Sequence, residues 1–145
     1  MNNLDQVALK INRAAAELRD ALAGCLEDTQ TLAGLVRTAI DEEDLLWLQG
    51  KLEGLQSVAA LMVDDGFLRT DAPLEDMAAQ LRHGAFDRAG WKAVLGAEGE
   101  ALVDRMCDRE EAVIRGLEQL VKLRNFLHGV LRSMLTGMDE GGVGF

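Results

Sequence analysis

The feature that most restricts how this chain folds is its opening run of apolar positions. Leu4, Ala8, Ile11, Ala15, Leu18, Leu22, Cys25, Thr29, Leu32, Val36 and Ala39 follow one another in alternating steps of four and three. A heptad seam sustained over five repeats predicts a long helix packed along a partner helix. At 1.5 Å rise per residue such a rod is about 50 Å long. Cys25 occupies a seam position and reads as a small buried hydrophobe.

The seam then loses phase. Carrying it forward would bury Glu43, Gly50 and Glu53, which the cost of desolvating charge forbids. A new seam starts instead at Leu45 and continues through Leu48, Leu52, Leu55, Ala59 and Met62. Between the two lies Asp41-Glu42-Glu43-Asp44, a capping residue followed by acids that suit the positive end of a helix. A tight reversal near residues 40–43 therefore predicts an antiparallel helical hairpin. The second helix is expected to end at Asp64-Asp65-Gly66, with Gly66 left-handed and Phe67 folded back on Met62.

Residues 67–97 read as a connector of short helices, one opened by Asp71-Ala72-Pro73 and closed by Gly84, another capped by Asp87 and closed by Gly96. The connector is expected to fold back over part of the first helix. A last long helix should begin near Ala97–Glu100 and run to about residue 136, with Met106, Val113, Leu120, Leu127 and Met134 repeating at seven. Glu110 and Arg124 interrupt this face. They are expected at its edge, reaching solvent by their stems, or setting register as a polar seam residue does.

These lengths predict an all-α fold: an elongated antiparallel helical bundle with two long helices, one medium helix and a short helical connector. Composition agrees. Ala, Leu, Glu and Arg abound, with one proline in 145 residues, which favours helix. Four Phe, two Trp and no Tyr leave the core to aliphatic side chains. The expected organisation is one helical-bundle domain over residues 1–138 and a flexible tail over 139–145.

The net charge of −10 and the lack of a dense Lys/Arg run argue against a nucleic-acid partner. The start MNNLDQVALK has no secretory pattern, and the longest apolar run, residues 58–63, is too short to span a bilayer. Cys25 and Cys107 lack CxxC spacing, so reduced thiols and a cytoplasmic location are expected. HExxH, GxGxxG, GxxxxGKS and GxSxG are missing from the sequence. His83 is expected to cap carbonyls at a helix end, and His128 to sit at a solvated boundary. No enzyme activity, cofactor or metal is expected.

One stretch has an apolar surplus. On a helical wheel Leu123, Phe126, Leu127, Val130, Leu131, Met134, Leu135 and Met138 cover an arc of about 180°, where a core-facing stripe needs little more than about 100°. Either the second helix covers the remainder, or a partner helix does. The order of elements, in LAGLVRTAIDEEDLLWLQGKLEGLQSVAALMVDDGF, LRTDAPLEDMAAQL and LEQLVKLRNFLHGVLRSMLTGMDEGGVGF, resembles the FlgN-type flagellar export chaperones. The resemblance implies a non-enzymatic cytoplasmic chaperone that keeps hook-associated (filament-junction) proteins soluble until export. It also implies client binding through the C-terminal helix, at Leu123, Phe126, Leu127, Val130, Leu131 and Met134. Two other readings stand beside it: a coiled-coil assembly protein whose seam over residues 4–39 makes a homodimer, and a small acidic inhibitor.

Overall fold

A computed structural model of the chain describes residues 3–36, 41–63, 65–69 and 71–143, with side chains for all of these except Asn3 and residues 137–143. The described residues form helices and turns without a strand: α1 Asn3–Val36, α2 Glu42–Val63, α3 Leu74–His83, α4 Arg88–Leu95 and α5 Glu100–Val143. The expected all-α bundle is the observed one. Ala39, Asp64 and the residues of the reversal before Asp41 lie outside the described part.

The seam of α1 is filled from within the chain. Ile11, Ala15, Leu18, Leu22, Cys25, Leu32 and Val36 are buried, while Ala8 is exposed and Val7 and Ala14 take up the packing beside it. α2 and α5 both run antiparallel to α1. Arg19 Nε donates to the Met62 carbonyl near the end of α2, and Leu18 faces Gly116 while Asp28 meets Arg105 on α5. These contacts bury most of the described seam within the chain.

Local chemistry explains the helix boundaries. The Asp44 N–H donates to Asp41 Oδ1 at 2.8 Å, capping α2 as its sequence predicts. After α2 the chain turns through a 3-10 segment, Asp65–Leu68, which needs no left-handed residue. Gly66 therefore does not supply the expected left-handed cap. Phe67 is buried in the cluster that holds Met62. The positive φ falls at Gly96 (74°), where α4 stops. Three residues on, a Cβ at Gly99 would lie 2.3 Å from that of Leu95, so only glycine fits this corner.

The connector packs chiefly along α5 and not along α1 as expected. α1 already carries α2 and α5, and the acids of α5 attract the connector's cations. Arg82 of α3 reaches Glu118 at 2.7 Å, and Arg88 of α4 reaches Asp104 and Asp108 at 2.7 Å each. α5 itself outruns its expected end near residue 136 and stays helical past the start of the predicted tail, to Val143. The extension runs through Gly137, Gly141 and Gly142, each costing about 1 kcal/mol against Ala, but it needs no new helix nucleus.

Two apolar clusters make the core. One joins the first part of α1, the end of α2, Phe67, α3 and Val113–Leu120 of α5. The other joins Leu32 and Val36, Leu48, Phe86, Trp91 and Leu102–Cys107. Between them runs a buried polar layer of Asp28, Thr29, Lys51 and Glu110. Lys51 and Glu110 form an ion pair; Lys51 also donates to the Gly84 carbonyl, and Glu110 accepts the Phe86 N–H, each at 2.9 Å. Asp28 accepts from Arg109 at 2.8 Å and from Arg105 at 3.2 Å. Glu110 is thus no edge residue reaching solvent. Its opposite charge is supplied inside the bundle, which is what makes burying it tolerable.

Candidate binding face on the last helix

Along α5 the cover thins steadily. Because α1 and α5 are antiparallel and Leu18 faces Gly116, the start of α1 comes level with about residue 130 of α5, given equal rise per residue. α2 ends sooner: its Met62 carbonyl is held by Arg19, level with about residue 115 of α5. Residues 45–62 therefore do not cover the surplus arc. What reaches it is the turn between α2 and α3.

Two polar anchors fasten α5 to that turn. Arg124, expected at the face's edge, is buried and donates to the Ala72 carbonyl at 2.9 Å and to Glu75 Oε1 at 3.1 Å. His128 is half-buried, and its Nε2 donates to the Leu68 carbonyl at 2.8 Å. Neither pairing was legible in the sequence. The signal available was a cation and an imidazole four residues apart on one helix flank, without a nearby acid to explain them.

Beyond the anchors α5 is an arm with an open apolar flank. Leu123 and Leu127 are partly buried against the first core cluster, and Val130 is intermediate. Phe126 is 56% exposed, Leu131 39%, Met134 50% and Leu135 63%. The six residues expected to bind a partner thus share one strip, of which Leu123 and Leu127 form the packed margin. Phe126, Val130 and Met134 rise one turn at a time along its outer side. Leu131 and Leu135 continue the core-facing line past the point where α1 begins. Leu135 extends the strip beyond the residues the sequence singled out.

Elsewhere the chemistry is quiet. Cys25 and Cys107 are free and buried. Burial, with the Glu110 charge adding to it, pushes the Cys25 thiol up to about 12, and burial likewise raises Cys107. Neither thiol is a nucleophile near neutral pH. His83 is exposed, and the end of α3 is closed by the Gly84 N–H on the Gln80 carbonyl. Among the described residues no group of three His, Cys, Asp or Glu converges as a metal site, and no helix is long and apolar enough to cross a membrane.

A groove of about 570 Å³ separates α2 from α3, floored by Gly50, Gly54 and Lys51. The Lys51 ammonium there is already held by Glu110 and Gly84. The strip on α5, by contrast, exposes four large apolar side chains together, Phe126, Leu131, Met134 and Leu135. No protein-family model matches this chain, nor does any curated protein or any solved structure.

Proposed function

We propose that this chain is a non-enzymatic helix-binding protein that holds an amphipathic helix of a client on the exposed strip of α5. The observation that carries this reading is the cluster of Phe126, Leu131, Met134 and Leu135, exposed together on an arm that outreaches both α1 and α2. Large apolar side chains arranged on one helix flank bind a partner helix by its own apolar stripe. Met134 adds a flexible contact suited to variable partners.

The biological setting we propose is the one the sequence resemblance implies. The protein acts as a cytoplasmic export chaperone that covers the aggregation-prone helix of a hook-associated client. The strip explains how such a chaperone works without chemistry: it shields the client's apolar surface and releases it intact.

The test is a double variant, Phe126→Asp with Val130→Asp. Both positions lie outside the buried core, so helix content and the thermal midpoint should stay near those of the parent. Retention of filament-junction proteins in a pull-down should fall to background. Full retention by a correctly folded double variant would overturn the proposal.

A further inference from the structure

The arm differs from the rest of the molecule in charge as well as in exposure. Residues 119–138 form the longest stretch of the sequence without an Asp or Glu, yet they contain Lys122, Arg124 and Arg132. Arg124 is spent internally on Ala72 and Glu75. Lys122 and Arg132 are exposed, and Arg132 meets no carboxylate among the described side chains. Lys122 stands one turn before Phe126, and Arg132 stands three residues before Leu135, so each flanks one side of the apolar strip.

The neighbouring start of α1 adds to the same sign. Lys10 and Arg13 are exposed there, with Asp5 the only acid in residues 3–16. Residues 3–16 and 119–136 together hold five of the 15 Lys and Arg but one of the 25 Asp and Glu. Ten of the 25 acids lie toward the opposite end, in residues 41–44 and 98–111. Asp71 and Glu75, on the segment that holds Arg124, and Asp139 and Glu140, past Leu135, bound the acid-free stretch. A chain of net charge −10 thus borders its apolar strip with exposed Lys122 and Arg132 on a stretch of α5 that carries no acid.

We propose that the segment seated on the arm is a helix with an apolar stripe bordered by Asp and Glu. The inference rests on the reading of the arm as a docking face. Such a helix meets Lys122 on one side of the strip and Arg132 on the other. The net acidity of the rest of the chain disfavours such a helix elsewhere, so charge favours its landing on the strip. An anionic bilayer fits less well, because two exposed cations attract it weakly while the whole acidic body is repelled.

The experiment uses the full chain and two helical peptides with the same leucine stripe, one flanked by Glu and the other by Lys. At low salt the Glu-flanked peptide should bind about tenfold tighter, the sum of two exposed ion pairs, with the preference shrinking as salt rises. The double variant Lys122→Glu with Arg132→Glu should erase or reverse that preference while circular dichroism stays unchanged. Equal binding of both peptides, lost on Phe126→Asp, would overturn the charge rule and leave the docking face standing. Binding of neither peptide would overturn both. Tighter association with anionic phosphatidylglycerol vesicles than with the Glu-flanked peptide would assign the strip to lipid. Dimerisation through the arm at the same concentration would assign it to a second copy; either result overturns the proposal.

Discussion

Met106, Val113 and Leu120 lie at heptad intervals in the first half of α5 and are buried, whereas Leu127 and Met134 continue the same series and are half-buried and exposed. Nothing in the apolar type of these five residues separates the two halves. What separates them is the length of their neighbours. The first half meets α1, α2 and the connector; past about residue 130 no long helix among the described residues runs alongside, because that is where α1 starts. A heptad pattern therefore records which face of a helix is apolar, but not whether the cover belongs to the same chain. Three experiments test whether α5 is divided in this way.

The largest effect should come from the polar layer under the packed half. Lys51→Met leaves the Glu110 carboxylate buried without its cation. Breaking such a pair costs about 3–5 kcal/mol, read as a lower urea midpoint at unchanged slope. Adding Glu110→Leu to the same chain should recover much of the loss, since an apolar pair of similar volume is often neutral or better. A single-variant cost well under about 1 kcal/mol would mean that water reaches this layer, and the packed half would then not be sealed.

A matched pair of truncations compares the halves directly. Leu117 is fully buried against α1, so Leu117→Ala should cost about 2–5 kcal/mol. Met134→Ala on the arm should stay within about 0.5 kcal/mol of the parent. A large loss at Met134 in the isolated protein would break the comparison, because it would show the strip already covered.

Much of this architecture was legible in advance, for a physical reason. The seam of α1, the Leu48, Leu55 and Met62 positions of α2, the Asp41 cap, the glycine stop at Gly96 and the start of α5 are all set by local periodicity and capping chemistry, which a sequence carries residue by residue. α2 departs from the rest of its expected seam: it buries Lys51 and Val58 and leaves Leu45, Leu52 and Ala59 only partly covered. The packing of the connector, the Lys51–Glu110 pair and the seating of Arg124 and His128 are not local. Glu110 and Arg124 were expected near solvent because a charged residue beside an apolar seam ordinarily snorkels. Their partners come from 59 and 49 residues away, at Lys51 and Glu75, and no single-helix wheel brings those positions together. The apolar strip itself was visible as an excess of arc, but its exposure depends on where α1 and α2 stop alongside it.

The smallest expected effect is also the most local. Gly116 and Gly129 lie on the same helix, one in each half. A Cβ at Gly116 would sit 3.1 Å from Leu18 Cδ1, whereas one at Gly129 would meet nothing within 4 Å. Gly129→Ala should therefore gain helix propensity with no steric cost, up to about 1 kcal/mol. Because the arm lies beyond the Arg124 and His128 anchors, the gain should appear as local order and leave the global unfolding midpoint nearly unmoved. Amide exchange reads it: protection should rise by up to about fivefold around residues 126–136 and stay constant in the two cores. Gly116→Ala should show no such gain, since the new methyl presses on Leu18. If Gly129→Ala instead shifted the global midpoint by its full value, the arm would be unfolding together with the bundle, and the division of α5 into a packed half and a free one would be wrong.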